Sequence, residues 1–225
     1  MTPLYEDNHI IIVQKTSGEI VQGDKTGDIP LSETVKAYLK EKYDKPGNVF
    51  CGVVHRIDRP VSGLVIFAKT SKALSRLNEM IASRKIHKSY LAIVEGTPEI
   101  HSGHLVHYLR SVQRINKSFV SLKEKEGYKR CELEYEVIGS GDKYSLLRIN
   151  LLTGRKHQIR AQLAATGHPI KGDLKYGAKR SNPDGSISLL SHHIQFIHPV
   201  SGKEIDVLAT LPEGTLWKLG NQTRN

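Results

Sequence analysis

Residues 55–69 have the sequence HRIDRPVSGLVIFAK and join a charged loop to an apolar strand. The second half of this stretch is rich in β-branched and aromatic residues, which predicts a buried strand. In the first half, Asp58 is flanked by His55, Arg56 and Arg59. Neighbouring cations favour the ionised form of a carboxylate, and an ionised carboxylate next to a rigid strand suits a nucleophile. An aspartate in such a loop is more often a turn former, so a catalytic role needs support from other segments.

Apolar runs bounded by turn residues predict that the chain contains more strands than helices. Eight strands are predicted, at His9–Gln14, Gly63–Lys69, Ser89–Glu95, Ser118–Leu122, Cys131–Ile138, Tyr144–Leu151, Leu189–Ile197 and Glu204–Ala209. The glycine-rich turn Gly139–Asp142 predicts that the fifth and sixth of these strands form a hairpin.

Three helices are predicted where apolar residues recur at helical spacing. The first has Ser32 as its cap and the second has Ser71, while the third passes through Ile159 and ends at Gly167. Hairpin-like connections and few helices predict an α+β fold: a mixed, mainly antiparallel sheet flanked by helices. We expect one domain over residues 1–225.

Two polar or basic stretches separate these elements. His101–Asn116 and Lys179–Ser188 are predicted to be surface loops that help to select a target. His101, His104 and His107 recur at every third residue within the first of them. We do not expect a metal site there, because a strand or turn does not bring residues three apart onto one face.

The chain carries a large excess of positive charge. Its 225 residues include 33 Lys and Arg against 23 Asp and Glu, a formal net charge of +10. Such a surface favours a polyanionic partner through counterion release, although it also fits a simple solubility surplus. The sequence contains no apolar run of the roughly 20 residues that a membrane span needs and no signal peptide, so we expect a cytoplasmic protein.

The motif around Asp58 closely resembles the signature of the RluA family of pseudouridine synthases, the ribosomal large-subunit type. In this sequence the motif is His-Arg-Ile-Asp, two residues, Val-Ser-Gly-Leu, and then Ala-Lys. The resemblance implies that Asp58 is the catalytic aspartate and that Arg56 replaces the flipped uridine. Val61 departs from the family pattern, which usually has threonine there, so a local hydrogen bond is expected to be missing.

Two later segments fall in the order that the family shows. KSYLA, at residues 88–92, resembles the strand with the active-site tyrosine, which implies that Tyr90 stacks on the uracil and assists proton removal. LTGRKHQIR, at residues 152–160, resembles the element whose arginine pairs with the catalytic aspartate, which implies that role for Arg160. In the same segment, four residues at the start of a helix are candidates for contacts to RNA phosphates, although they fit a solvated basic cap equally well: Arg155, Lys156, His157 and Gln158.

The resemblance runs from about His9 to Leu211 and implies one catalytic domain with a central RNA-binding cleft. No separate N-terminal RNA-binding domain is expected. The implied activity is the isomerisation of specific uridines in ribosomal or transfer RNA, with an aspartate nucleophile and base flipping. It needs no cofactor and no metal, and nothing in the sequence implies a membrane or an obligate protein partner.

Two other functions fit parts of the same sequence. A non-catalytic RNA-binding module would use the same basic surface, but it would tolerate any residue at position 58. A carboxylate hydrolase acting on nucleosides would need a second acid as proton donor, and none of the three motifs contains one.

Overall fold

The computed structural model describes residues 1–221, which fall into two units. Unit 1 comprises residues 1–88 and 191–210, and unit 2 comprises residues 89–190 and the described residues from 211 onward. The expectation of a single domain over residues 1–225 stays a prediction.

The described residues form eleven strands and three α-helices. The strands are β1 (Tyr5–Glu6), β2 (Ile10–Lys15), β3 (Gly52–Val53), β4 (Ser62–Ala68), β5 (His87–Glu95), β6 (Ser102–Val112), β7 (Lys117–Ser121), β8 (Lys129–Ser140), β9 (Tyr144–Leu151), β10 (Leu189–Ile197) and β11 (Glu204–Leu208). The helices are α1 (Leu31–Lys42), α2 (Ser71–Ala82) and α3 (Gln158–Ala165), with short 3-10 helices at Gln113–Ile115, Leu174–Tyr176 and Thr215–Asn221. This mixed sheet with few helices confirms the predicted α+β class.

In unit 1 the strand order is β1-β2-β4-β10, with β3 paired to β4 and β11 paired to β10. Strands β2 and β4 are antiparallel and pair Ile10 with Ala68 and Val13 with Val65. Residues 10–13 and 64–68 have no exposed surface, so both faces of these two strands are buried. Burial on both faces explains why their sequences are continuous apolar runs rather than alternating patterns.

The starts of the first two helices differ from the prediction. The predicted cap Ser32 is wrong, because Pro30 occupies the N-cap position and Ser32 lies buried in the first turn of α1. The predicted cap Ser71 is also wrong. Thr70 has an extended backbone, and its hydroxyl accepts the backbone N–H of Ala73 at 3.1 Å. Thr70 is therefore the residue that satisfies an otherwise unpaired donor of α2.

In unit 2 the strand order is β5-β9-β8-β6-β7, and all four pairings are antiparallel. The predicted hairpin is confirmed as β8 and β9, with a register shift between Val137 and Gly139. The prediction of a surface loop at His101–Asn116 is wrong, because β6 occupies most of it. The polar residues there lie on the exposed face of a half-buried strand, and His107 and Leu109 point into the protein.

Helix α3 packs against β6 and β7 in unit 2. The small core at this contact consists of Leu109, Cys131 and Ala161, with Val120 and Tyr176 against it. No helix in the described part of the chain is long and apolar enough to cross a membrane.

Candidate active site

Asp58 begins a tight turn that leads into β4. The backbone N–H of Val61 donates to the carbonyl oxygen of Asp58 at 3.0 Å, which closes a four-residue turn. Asp58 itself is half-buried, and the next strand begins at Ser62. The predicted position of this carboxylate, on a loop that enters a rigid strand, is confirmed.

Lys15, the last residue of β2, holds the Asp58 loop in place through hydrogen bonds. Its side chain is fully buried, and Nζ donates to the carbonyl oxygens of Thr16, Glu19 and Arg59 at 2.8, 2.9 and 3.0 Å. Burial lowers the pKa of Lys15 to about 8, whereas the charges of Glu19 and Asp58 act to raise it. The buried ammonium therefore holds the loop through the carbonyl oxygen of Arg59. Its positive charge also interacts favourably with the Asp58 carboxylate.

Further hydrogen bonds join the same two segments. The backbone N–H of Gly18 donates to the carbonyl of Arg59 at 2.9 Å, and the Ser17 hydroxyl donates to the carbonyl of Pro60 at 3.2 Å. The guanidinium of Arg59 forms an ion pair with Asp28. Sequence reasoning placed a turn after β2 but missed this role, because Lys15 and Arg59 are 44 residues apart.

Gly63 allows β4 to run close to β10 within unit 1. Its φ of 115° lies in the region that favours glycine. A Cβ atom at this position would lie 2.5 Å from the backbone nitrogen of Ser191 and closer still to its carbonyl oxygen. The glycine two residues after the Asp58 turn is therefore required by both conformation and space.

His55 is neutral rather than cationic. Its Nε2 accepts the backbone N–H of Ile66 at 3.2 Å, which assigns the ring proton to Nδ1. Burial lowers the pKa of His55 well below its ordinary value, and the charge of Lys88 lowers it further. The expectation that three cations surround Asp58 is therefore wrong for His55. Arg56 lies on the surface, where a role toward RNA stays a prediction.

In unit 2, Arg160 forms a two-pronged ion pair with Asp173. Its Nε and Nη2 donate to the two carboxylate oxygens at 2.7 and 2.9 Å, and both side chains are buried. The guanidinium also stacks on the ring of Tyr176, with Cζ 5.1 Å from the ring centroid. Because an arginine has five N–H donors, Asp173 engages only one edge of the group. The predicted pairing of Arg160 with Asp58 stays a prediction.

Sequence reasoning missed Asp173 as a partner of Arg160. Asp173 follows Gly172 and lies 13 residues beyond the arginine. No helical or strand periodicity links these positions, because α3 ends at Ala165 between them. A signal was nevertheless available, since a buried arginine needs a carboxylate close by.

The loop before α3 is shaped by Gln158. Its Oε1 accepts the Thr153 hydroxyl at 2.8 Å and the backbone N–H of Arg155 at 2.9 Å, and its Nε2 donates to the carbonyl of Glu132 at 2.9 Å. Gln158 is almost completely buried. It therefore holds the loop against β8 instead of meeting a phosphate.

Arg155 and His157 occupy different environments on this loop. Arg155 lies on the surface, whereas His157 is buried, with Nδ1 2.9 Å from the hydroxyl of Tyr176. The left-handed backbone of His157, with a φ of 53°, marks the start of α3. An RNA contact by either residue stays a prediction. Because His157 is buried, Arg155 is the more accessible of the two.

Tyr90 lies in β5 opposite Ile149 of β9 and is 6% exposed. Its predicted contact with the uracil ring stays a prediction. Asp58 and Arg56 belong to unit 1, and Tyr90, Arg155, His157 and Arg160 belong to unit 2.

The histidines of β6 are not arranged around a common point. His107 is buried beside Gln162, with Nδ1 3.1 Å from its amide nitrogen, and His104 faces Glu132 at 3.4 Å. Within residues 1–221, no group of three or more His, Cys, Asp or Glu side chains could hold a metal ion.

Comparison with known proteins assigns the family. The model of the RNA pseudouridylate synthase family matches residues 9–165. Ribosomal large subunit pseudouridine synthase C of Buchnera aphidicola (strain APS) is 35% identical over 92% of this chain and 66% of the relative. Ribosomal large subunit pseudouridine synthase D of Zymomonas mobilis is 31% identical over 93% of this chain and 69% of the relative. The chain thus spans about two thirds of the length of these relatives.

Solved structures support the same fold. Human RNA Pseudouridylate Synthase Domain Containing 4 gives a TM-score of 0.78 at 18% identity, covering 94% of this chain and 88% of the human chain. Human RNA Pseudouridylate Synthase Domain Containing 1 gives a TM-score of 0.72 at 21% identity, covering 94% and 83%. With the sequence match over residues 9–165, the chain belongs to the RNA pseudouridylate synthase family, in its ribosomal large-subunit (RluA) type.

Proposed function

We propose that this chain isomerises specific uridines in ribosomal or transfer RNA to pseudouridine, with Asp58 as the nucleophile. The observation that carries the proposal is the Asp58 turn, which a fully buried lysine and the turn after β2 hold in place. Family membership supplies the reaction. Ribosomal RNA is the first substrate to test, because the similar curated proteins are named for the ribosomal large subunit.

The reaction breaks the bond between N1 of uracil and C1′ of ribose, rotates the base, and forms a bond between C5 and C1′. The proton lost from C5 is balanced by the one gained at N1, so no atom enters or leaves. We assign Asp58 to the C1′ side, where its carboxylate acts by covalent attack or by assisting formation of a glycal. No step requires a redox group.

The reacting carbon is inaccessible in stacked RNA, so the target nucleotide must be extruded at a cost of a few kcal/mol. Arg56 is assigned to the vacated position, in keeping with its place on the surface two residues before Asp58. Tyr90 is assigned to stacking on the extruded base and to removal of the C5 proton. Arg160 is assigned to keeping the Asp58 carboxylate ionised, because a guanidinium cannot be deprotonated in proteins.

The experiment is an assay of the purified chain with transcribed ribosomal RNA and transfer RNA, without added cofactor. Nucleosides from digested RNA are separated and quantified, and free uracil is measured in the same reaction. We expect each uridine lost to appear as pseudouridine. Release of free uracil would assign the chain to hydrolysis, and unchanged RNA from every substrate would support a binding protein. Pseudouridine mapping in cells lacking the gene then identifies the target.

A further inference from the structure

A groove of about 350 Å³ lies between β7 and α3 in unit 2. The wall on the helix side consists of three alanines, Ala161, Ala164 and Ala165. The opposite wall is Lys117–Val120 of β7, and Tyr176 and Gly177 also line the groove. Larger side chains at the alanine positions would fill the groove. Its volume lies at the small end of the range of about 300–1,000 Å³ for ligand pockets.

The groove carries an aromatic ring beside a cation. Phe119 is 41% exposed, although most aromatic rings of this size are buried in folded proteins. The ammonium of Lys117 lies 5.9 Å from the ring centroid of Phe119 and 5.3 Å from that of Tyr176. An exposed ring offers a face on which a nucleobase can stack, and an adjacent lysine can meet the phosphate.

The segments that border the groove are uniformly basic. Residues 113–121, 156–167 and 174–180 contain no Asp or Glu. Their cations are Arg114, Lys117, Lys156, Arg160, Lys175, Lys179 and Arg180. All of these except the buried Arg160 are at least partly exposed. By contrast, a larger groove on β6, β8 and β9 is lined by two carboxylates, Glu134 and Glu136, against one arginine, Arg148. Charge therefore favours a polyanion at the first groove and disfavours it at the second.

Hydrogen bonds fix the wall of the groove before any ligand binds. The hydroxyl of Tyr176 accepts the backbone N–H of Ser118 at 2.8 Å, and the Ser118 hydroxyl donates to the carbonyl of Lys156 at 2.7 Å. Because the strand, the loop before α3 and Tyr176 are tied together, little ordering is needed on binding. Tyr176 also stacks on Arg160, so one wall is shared with a candidate catalytic residue.

We propose that this groove is an additional RNA-binding site that takes one unpaired nucleotide of the substrate, with its base on Phe119 and its phosphate at Lys117. The choice of RNA as ligand rests on the proposed function. The groove adjoins Arg160 through their shared neighbour Tyr176 and provides a means of selecting RNA. A paired base has both faces stacked on its neighbours, so the groove selects single-stranded RNA.

The test compares variants in fluorescence anisotropy titrations with a single-stranded RNA and a duplex of equal length. Phe119→Ser removes the aromatic ring, and Ala165→Leu fills the groove with a larger side chain. Each substitution should weaken binding of the single-stranded RNA about 5- to 20-fold. Binding of the duplex should weaken less than about 2-fold. Lys117→Gln should weaken both and reduce the slope of log affinity against log salt by about 1. Leu208→Ser and Lys40→Gln, at exposed positions of unit 1, are the matched controls and should bind both RNAs like wild type.

A second readout places the ligand directly. Single-stranded RNA containing 4-thiouridine is cross-linked by light to the wild-type protein, and we expect cross-links in the tryptic peptide 118–123. Wild-type single-strand affinity in both Phe119→Ser and Ala165→Leu would overturn the proposal, as would equal losses for the duplex. A change of oligomeric state in these variants, without loss of RNA affinity, would instead assign the groove to a second copy of the chain.

These outcomes are independent of turnover. Loss of single-strand affinity in a protein that makes no pseudouridine would support the groove while overturning the proposed function. Normal isomerisation together with unchanged RNA affinity in every groove variant would support the proposed function while overturning the groove as an RNA-binding site.

Discussion

The guanidinium of Arg160 grips the carboxylate of Asp173 through two hydrogen bonds, of 2.7 and 2.9 Å, inside unit 2. Both side chains are almost completely shielded from water. Removing one charge would therefore leave the other buried without an ionic partner, which is strongly destabilising. The pair fixes one edge of the guanidinium and thereby the direction of its other edge. Asp173 is therefore a positioning residue for Arg160.

Asp173→Asn should lower the free energy of unfolding by about 3–5 kcal/mol, because it leaves a buried guanidinium with a neutral partner. Urea titration of the purified protein measures this loss. Asp206→Asn is the control, since Asp206 forms an exposed pair with His193 and should cost less than about 1 kcal/mol. Equal, small effects of both substitutions would contradict the structural role given to Asp173.

Lys15→Met should both destabilise the protein and slow the reaction. Each of the three carbonyl oxygens loses its donor, and an unsatisfied buried acceptor costs about 1–3 kcal/mol. We expect kcat to fall more than RNA affinity, because the loop that carries Asp58 loosens. Lys36→Met, which removes an exposed ion pair with Glu33, should change neither the free energy of unfolding nor kcat appreciably. Unchanged kcat in a folded Lys15→Met protein would refute the anchoring role.

Gly63→Ala should be far more harmful than an alanine at another left-handed glycine. Gly18 also has a positive φ, of 90°, but nothing lies within 4 Å of a Cβ there. Gly18→Ala thus measures backbone strain alone, of about 1–3 kcal/mol. Gly63→Ala adds a collision with the backbone of Ser191, which cannot move without disturbing β10. Thermal unfolding of the two variants should show a clearly larger loss for Gly63→Ala, and equal losses would disprove the close approach.

Glu6 should make the stability of unit 1 sensitive to acid. Its carboxylate accepts hydrogen bonds from Lys42, Lys69, Tyr43 and Tyr38 at 2.7, 2.8, 2.6 and 2.9 Å. Burial raises the pKa of Glu6, but these hydrogen bonds outweigh it and lower the pKa to about 2. Since the pKa is lower in the folded state, the stabilisation is present above pH 4.5 and is lost as the pH falls toward 2.

Glu6→Gln tests this dependence. The free energy of unfolding should be lower than that of wild type by about 1–3 kcal/mol at pH 7, with a smaller difference at pH 3. Glu33→Gln, at an exposed ion pair, is the control and should match wild type at both values of pH. A difference that grows as the pH falls would show that the sign of the linkage is wrong.

The strands and the Asp58 turn could be predicted from the sequence because local patterns determine them. The runs at residues 10–13 and 64–68 are apolar throughout, and burial on both faces is the simplest environment for such runs. Strand β6 was missed because Ser102 and His104 on its exposed face, together with the buried but polar His107, concealed the alternation. The cap of α2 was misplaced by one residue, since Thr70 and Ser71 are both good cap residues and only the backbone angles separate them.

The contacts that position the candidate site depend on residues far apart in the chain. Lys15 resembles an ordinary surface lysine in a turn, and its burial follows from carbonyl groups that include one from Arg59. The neutral state of His55 likewise depends on burial, which the neighbouring arginines in the sequence do not reveal. The family resemblance therefore made Asp58 and Arg160 candidates, whereas the residues that hold them in place required the folded structure.

We propose that the carboxylate of Asp58 acts directly on the target nucleotide. The most direct measurement compares wild type and Asp58→Asn for pseudouridine formed in single turnover on the same RNA, alongside RNA affinity and the free energy of unfolding. We expect Asp58→Asn to form no detectable pseudouridine while RNA affinity and folding stay close to wild type. Pseudouridine formation at the wild-type rate by the Asp58→Asn protein would contradict the account.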